Sequence, residues 1–434
     1  MKIYYFDYAA ATPLDKEVKK AMDSYQSLFW ANPFSSHLLG RKAKEAIESA
    51  REKIAKILTA KTNEIIFTNS GTEANNLAIL GIARKLKTKS EKLKTNGHII
   101  VSKIEHKSIL ESCRQLEKEG FEVTYLSVDS EGLVNPQEVK KALRPETILV
   151  SVMYVNNEIG TIQPIKEIAK IIRDHNKSLP TTNYQLQTSF HSDACQASGF
   201  LDLNVQKLGV DLMTFNGSKI YGPKGVGVLF KKRGINLEPL IYGGDQENDL
   251  RGGLKNGLAV TGLAKALALA QVTREKESKR LVILRDYLIK RILTEIPETT
   301  LNGPSINEYL SIPVIPAKAG IQIPFKDFRT WIPGQARNDR GYGLRRIPNN
   351  INISFLGIEA EMLAIYLEKE QIYLSTTSAC YSSDSVAGSY VVKEISNQVR
   401  AQSAIRITLG KSTRKSDLDF LITKFKIVLK SLRK

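Results

Sequence analysis

One lysine in this chain stands where amine chemistry is easiest to arrange. Lys219 follows the apolar run Val210-Asp211-Leu212-Met213-Thr214-Phe215 and lies within Asn216-Gly217-Ser218-Lys219-Ile220-Tyr221-Gly222-Pro223-Lys224-Gly225. A polar, glycine-containing turn precedes it and a Gly-Pro-Lys-Gly turn follows, so the side chain is tightly held. Partial burial there lowers the lysine pKa and yields the neutral amine that an imine with a carbonyl compound requires. Glycine and lysine also make ordinary strand-to-turn corners. The reading therefore rests on what accompanies the motif elsewhere in the chain.

Five further features fit a site for pyridoxal phosphate. Ser70-Gly71-Thr72-Glu73-Ala74-Asn75-Asn76 follows a short apolar run and opens a helix. The free N–H groups around Gly71 and the Thr72 hydroxyl suit a phosphate, although the same residues also make a good helix cap. His106, in Glu105-His106-Lys107, falls at a strand end, where an imidazole can stack on a pyridine ring and move protons near neutral pH. The other histidines, His37, His98, His175 and His191, read as structural. Asp193, in His191-Ser192-Asp193-Ala194-Cys195-Gln196, places a carboxylate where it can hold a pyridine nitrogen protonated and make the ring an electron sink. Gln196 and Asn157 suit the ring hydroxyl oxygen. Arg406 offers a planar fork to a substrate carboxylate, or else an interdomain salt bridge. Cys380, in Thr377-Ser378-Ala379-Cys380-Tyr381-Ser382-Ser383, sits among small polar residues that suit a reactive thiol rather than core filler.

These groups need a scaffold that brings strand ends together. Amphipathic helices are expected over 14–27 and 42–58. Apolar runs at Ile65–Phe67, Ile99–Val101, Ile148–Val152 and Val210–Met213 alternate with helical segments. That alternation predicts a mostly parallel α/β sheet covered on both faces, with functional groups in loops at the carboxyl ends of the strands. A long helical stretch over 257–294 leads into a smaller α+β region with strands near Ile351–Phe355 and Ala404–Leu409. The last helix carries Leu418, Leu421, Phe425, Val428 and Leu432 on one face and should dock. The expected division is a large domain over 15–256 and a small one from 1–14 with 257–434. Residues 311–343, rich in proline and poor in periodicity, resemble a translated intergenic repeat and read as a surface insertion.

Composition narrows the class. The chain has 434 residues, is 42% hydrophobic and holds no long apolar run, which excludes a membrane-spanning helix. Met1-Lys2-Ile3-Tyr4-Tyr5-Phe6-Asp7 lacks a secretory signal, so a cytoplasmic location is expected. Cys113, Cys195 and Cys380 are too few and too scattered for a disulfide framework or a cysteine-cluster metal site, and no metal is expected from side-chain spacing. The net charge of +18 reads as a lysine-rich solvated surface rather than a nucleic-acid interface, because the basic residues are spread over helix faces.

Taken in order, Tyr5 to Pro13, Gln115 to Leu126, Val155 to Gly160, Asp211 to Gly227, Ser378-Ala379-Cys380 and Ile405 to Gly410 resemble the NifS-type cysteine desulfurases of the class V aminotransferase superfamily. The resemblance runs nearly end to end. It implies the type I pyridoxal-phosphate fold, an α/β large domain with a smaller α+β C-terminal domain, in a homodimer. It further implies that Lys219 binds the cofactor and moves the substrate α-proton, with His106 assisting and Asp193 on the ring nitrogen. Gly71, Thr72, Asn157, Gln196, Asn216 and Ser218 complete the cofactor set, and Asn157 and Arg406 bind substrate. L-cysteine would then yield L-alanine and a persulfide on Cys380. The sulfur passes to an iron–sulfur scaffold, to tRNA thiolation or to another acceptor, and Cys380 contacts an iron–sulfur cluster, if at all, only during transfer.

The chain departs from the family pattern at four places. Ser218 replaces the histidine before the lysine, and Arg251-Gly252-Gly253-Leu254 replaces Arg-Ser-Gly-Thr. Thr377 and Asp245 stand where glycine is common. Losing the threonine that reaches the neighbouring subunit's phosphate costs roughly 1–3 kcal/mol of cofactor affinity. Because the residues of the chemical step are retained, weakened cofactor retention is the expectation. The alternatives are a selenocysteine lyase or other class V lyase, and a catalytically decayed paralogue acting as a partner protein.

Overall fold

The computed structural model describes residues 2–89, 97–179, 187–306, 345–376 and 388–433. In chain order, the first part holds β1 (Tyr4–Tyr5), α1 (Lys16–Leu28), α2 (Leu38–Leu58), β2 (Ile65–Thr68), α3 (Gly71–Lys89), β3 (His98–Ser102), α4 (Lys107–Lys118) and β4 (Glu122–Leu126). Then come α5 (Pro136–Ala142), β5 (Thr147–Ser151), α6 (Ile165–Ser178), β6 (Ser189–Asp193), α7 (Val205–Leu208), β7 (Leu212–Asn216) and β8 (Gly227–Lys231). The remainder is α8 (Gly257–Glu295), β9 (Thr299–Leu301), β10 (Asn350–Phe355), α9 (Ala360–Lys369), β11 (Ile372–Tyr373), α10 (Tyr390–Ile395), α11 (Gln398–Gln402), β12 (Ala404–Thr408) and α12 (Lys415–Leu432).

Seven strands form the large sheet in the order β2-β8-β7-β6-β5-β3-β4. The strands from β7 through β4 run parallel to one another, whereas β8 is antiparallel to both β7 and β2. Two antiparallel steps restore direction, so β2 also ends at the same edge as β3, β5, β6 and β7. The class is the α/β one the alternation predicts. β3 and β5 are buried along their whole length, as a sheet covered on both faces demands.

One strand begins later than its apolar run. β7 runs Leu212–Asn216, just past Asp211, whose Oδ2 accepts the N–H of Phe190 in β6 at 3.0 Å and whose Oδ1 pairs with Lys232 at 2.8 Å. The shift carries Asn216 to the end of the ladder, one residue before the lysine turn.

Beyond the sheet, α8 is about 58 Å long at 1.5 Å per residue. Asn256 caps it by accepting the Ala259 N–H at 3.0 Å. Its first half buries Val260, Leu263 and Leu267 in the core beneath α1 and α2. Its second half buries Leu281, Leu288 and Ile292 in a separate core with Ile351, Ile353, Phe355, Ile405 and Ile407. There β12, β10 and β9 form an antiparallel sheet, and β1 pairs with β11. The last helix docks as its pattern predicts, with Leu418, Leu421, Phe425 and Val428 buried against this core. Residues 311–343 and Cys380 lie outside the described residues.

Candidate active site

Strand direction assembles the site. Asp193 is the last residue of β6, Lys219 comes three residues after β7, His106 four after β3, Asn157 six after β5 and Gly71 three after β2. All five strands end at one edge, so residues up to 148 positions apart in sequence meet there.

Lys219 lies on a single 3-10 turn, Gly217–Lys219, and its Nζ donates to the carbonyls of Ala9 at 2.8 Å and Ala10 at 2.6 Å. Burial lowers its pKa, and the nearby Arg406 charge lowers it further, against the opposing pull of Cys195, Asp193 and Asp7. Among the described residues no carboxylate forms an ion pair with Nζ, so little opposes this lowering.

Asp193 is buried, and its oxygens are both engaged: Oδ1 accepts the Cys195 N–H at 2.8 Å and Oδ2 the Asn75 Nδ2 at 2.7 Å. Asn75 in turn reaches Ser108 Oγ at 2.9 Å, which links α3 to α4 beneath the site. His106 is the N-cap of α4. Its Nδ1 accepts the Ser108 N–H at 3.1 Å, which leaves Nε2 as the protonated nitrogen of the neutral ring. Burial lowers the His106 pKa, Asp193 raises it, and the Lys219 and Lys107 charges lower it again.

Just before it, Glu105 is fully buried. Its Oε1 accepts Ser102 Oγ at 2.6 Å and the Met153 N–H at 2.8 Å, while Oε2 has no partner among the described residues. Burial pushes its pKa up to about 8, so at neutral pH this carboxyl is protonated. His191 and His98 are fastened between hydroxyls of neighbouring strands, His191 by Ser151 and Thr214, His98 by Thr147 and Thr124. Burial holds each near pKa 4 and neutral.

The remaining predicted residues fall around the same edge. Asn157 Oδ1 is buried without a partner among the described residues. Its carbonyl accepts Arg406 Nη1 at 3.1 Å, while Arg406 Nη2 pairs with Asp7 at 2.8 Å. Arg406 Nε, also buried, has no partner among the described residues. Gln196 Nε2 donates to the Ala9 carbonyl at 3.0 Å, on the same oxygen that receives Lys219. Ser218 Oγ donates to Asn216 Oδ1 at 3.0 Å, and Asn216 Nδ2 rests 3.4 Å from Cys195 Sγ.

At the start of α3, Ser70 Oγ accepts the Glu73 N–H at 3.0 Å and Glu73 accepts the Asn69 N–H at 2.9 Å. The N–H groups of Gly71 and Thr72 have no partner among the described residues. A Cβ on Gly71 would lie 2.8 Å from Cys195 Sγ and 2.9 Å from Asn216 Nδ2, so only glycine lets this helix start come so close. A cleft of about 210 Å³ opens here, lined by Ala10, Ser70, Asn216, Ser218, Lys224 and Gly225. A helix N-terminus with free donors, a depressed lysine, a buried carboxylate and an unpartnered amide oxygen fit a phosphorylated pyridine aldehyde. The donor set therefore passes the test that pyridoxal phosphate sets.

Several partners carry no local signal. Asn75 on Asp193, Asp7 on Arg406 and the carbonyls of Ala9 and Ala10 on Lys219 were assigned no part by the sequence pattern. For Asp7 to Ala10 the position within the matching N-terminal segment is the only clue. Cys380 lies outside the described residues, but both flanks of its segment are anchored here. Ser375 pairs with Arg406 through backbone bonds of 3.2 and 2.8 Å, and Ser389 Oγ donates to Glu158, the residue after Asn157.

Comparison with known proteins agrees with this geometry. Residues 4–318 match the class-V aminotransferase family. A cysteine desulfurase IscS of Dictyoglomus turgidum is 43% identical over 430 residues, covering 99% of this chain and 95% of the relative. One from Methanosarcina thermophila is 38% identical over 434 residues, covering 100% of this chain and 93% of the relative. Among solved structures, a NifS-like protein superposes with a TM-score of 0.80 at 30% identity, covering 99% of this chain and 100% of that one. A structure of SspA in complex with cysteine superposes with a TM-score of 0.69 at 32% identity, covering 94% and 99%.

Proposed function

The chain belongs to the class-V aminotransferases as a pyridoxal-phosphate-dependent cysteine desulfurase, and we propose that Lys219, Asp193, His106, Arg406 and Cys380 perform its reaction. The observation that carries this assignment is the placement of Lys219, held by the Ala9 and Ala10 carbonyls just past β7, beside the buried Asp193 carboxylate at the end of the adjacent β6. The bound cofactor supplies an electron sink for the pair released at the substrate α-carbon. Gly71, Thr72, Asn216 and Ser218 would hold its phosphate end, Asp193 would serve its ring nitrogen, and Asn157 and Gln196 its ring oxygen.

The protein groups then divide the work. Arg406 binds the L-cysteine carboxylate with Asn157 beside it, which fixes the α-carbon relative to Lys219. Lys219 Nζ, whose pKa burial lowers, takes the α-proton and returns one to the carbon skeleton that leaves as alanine. Asp193, held by Asn75 and the Cys195 N–H, would present its negative charge to the ring nitrogen. His106 Nε2–H stands ready to exchange a proton, because Nδ1 is committed to Ser108. Cys380 as thiolate attacks the substrate sulfur. A sulfur–sulfur bond forms, the carbon–sulfur bond breaks, and its electron pair remains with the carbon, which is protonated to alanine.

The persulfide on Cys380 is delivered to an iron–sulfur scaffold, to tRNA thiolation or to a comparable acceptor, in the cytoplasm. The active form is a homodimer. In support, Leu28, Trp30, Phe34, Leu38, Tyr242 and Leu254 are exposed on two segments that meet where Lys255 lies over the Phe34 ring. Such an apolar surface suits a second copy of the chain.

The test is turnover of L-cysteine by protein loaded with pyridoxal phosphate, followed by alanine, sulfide and the visible cofactor spectrum. Lys219→Ala should abolish both the cysteine-dependent spectral change and alanine. Cys380→Ala should keep the spectral change and lose sulfide. Alanine formation that persists in Lys219→Ala sinks the assignment.

A further inference from the structure

Tyr221, two residues after the site lysine, has a backbone φ of +61°. For a bulky residue this left-handed conformation is strained, whereas glycine adopts it freely. Strain of this kind persists only where the surroundings over-determine it. Here they do so on every side. Tyr221 N–H donates to Thr12 Oγ1 at 2.7 Å, and its carbonyl accepts the Asp15 N–H at 3.0 Å. Its hydroxyl accepts the Lys411 N–H at 2.7 Å, from the loop after β12. The Lys411 ammonium lies 4.5 Å from the tyrosine ring centre and pairs with Asp15 at 2.8 Å.

Those contacts close a lacing around the lysine. Thr12, which receives Tyr221, donates from both N–H and Oγ1 to the Ser218 carbonyl at 2.9 Å. Lys219 Nζ donates to Ala9 and Ala10 of the same N-terminal segment. Gly222 N–H closes the turn onto the Gly217 carbonyl at 3.0 Å. The turn 217–222 and the segment 9–12 are thus sewn together on both sides of the lysine. Tyr221 also reaches the C-terminal region through Lys411, on the turn side, as Ala9 does on the segment side by donating its N–H to Thr408 Oγ1 at 2.9 Å. We infer that Tyr221 is a positioning residue for Lys219: its strained backbone fixes the turn from which the lysine reaches the site, and its hydroxyl couples that turn to Lys411. A glycine at 221 would remove the strain but also the ring and hydroxyl that reach Lys411.

The inference rests on Lys219 as the cofactor lysine, and the experiment separates the two. Borohydride reduction of the loaded protein and peptide mapping locate the modified lysine. Attachment elsewhere overturns both readings. With attachment at Lys219, Tyr221→Phe and Tyr221→Gly are compared with the parent by two readouts. The first is the pH midpoint of the visible cofactor absorbance, which follows the electrostatic surroundings of the lysine nitrogen. The second is amide hydrogen exchange over 217–222 in protein without added cofactor. Tyr221→Gly should move the midpoint by roughly one pH unit and speed exchange roughly tenfold or more. Tyr221→Phe, which keeps φ and ring but loses the Lys411 bond, should move the midpoint by roughly a third as much. If Tyr221→Gly cannot be folded, the Tyr221→Phe shift decides the matter. A midpoint within roughly 0.1 unit of the parent in every variant that folds overturns the inference and leaves Tyr221 a packing residue.

Discussion

Arg406→Lys separates binding of the substrate carboxylate from mere fastening of the fold. In the structure Nη2 meets Asp7 at 2.8 Å and Nη1 meets the Asn157 carbonyl at 3.1 Å, which leaves the buried Nε unsatisfied among the described residues. A carboxylate brought to the Nε side completes the fork without breaking the Asp7 pair. A lysine ammonium is a single centre and cannot serve Asp7, Asn157 and a substrate carboxylate in one plane. One charge-assisted bond is lost, roughly 1.5–3 kcal/mol, so KM for L-cysteine should rise roughly 10- to 150-fold. The value of kcat should change far less, because Lys219 keeps its carbonyl contacts with Ala9 and Ala10. Asp7→Asn is the control. It keeps an acceptor for Nη2 but removes a negative charge near the arriving carboxylate, worth roughly 0.5–1 kcal/mol in a wet site, so KM should fall roughly two- to fivefold. Initial rates of alanine formation against cysteine concentration give both constants, and thermal midpoints report the fold. The reasoning is refuted if Arg406→Lys lowers kcat at unchanged KM, or if the two variants lose stability and activity in parallel.

Three other perturbations follow from the buried groups. Glu105 has its folded pKa raised to about 8 from 4.5, so its contribution to stability is full below about 4.5 and lost as pH rises through 8. Glu105→Gln should therefore gain stability relative to the parent across that window, by roughly 1–3 kcal/mol at the alkaline end; parallel urea-midpoint profiles at pH 5 and 8.5 would count against a protonated Glu105. Glu247 accepts two Arg51 nitrogens at 2.8 Å and the Phe67 N–H at 2.7 Å, all buried, and Glu247→Ala should cost roughly 2–3 kcal/mol in chemical denaturation, because the Phe67 N–H loses its acceptor and Arg51 is left with Glu48 and the Ile65 carbonyl. A loss below roughly 1 kcal/mol would mean that Arg51 finds another partner or reaches water. Gly71→Ala drives a methyl against Cys195 and Asn216 and should weaken pyridoxal phosphate binding roughly tenfold, with partial recovery in Gly71→Ala/Cys195→Ala; an unchanged dissociation constant would show that the helix start is not the phosphate seat.

Much of the fold was legible because its signals are local. Continuous apolar runs gave β3 and β5, helical periodicity gave α2, α8 and α12, and placing strands parallel implied that their loops share an edge. The positions of the proposed site residues were legible for the same reason, since Asp193, His106 and Lys219 each sit at or just past a strand end. The register of β7 was less so, because Asp211 looks like part of an apolar run until Phe190 N–H and Lys232 claim its carboxylate.

By itself the sequence determined the strand-and-helix order, the residue types presented at the sheet edge and the family to which the chain belongs. These follow from short-range propensity, periodicity and motif order, which are written in consecutive residues. Only the tertiary structure decided that Asn75 holds Asp193, that Asp7 shares Arg406 with Asn157, that Glu105 is sealed from water, and that Tyr221 is forced into a left-handed turn between Thr12 and Lys411. Each of those outcomes depends on which polar groups remain unsatisfied once the sheet and the C-terminal core have assembled. A buried donor must then take whatever acceptor the fold brings within about 3 Å, however distant in sequence.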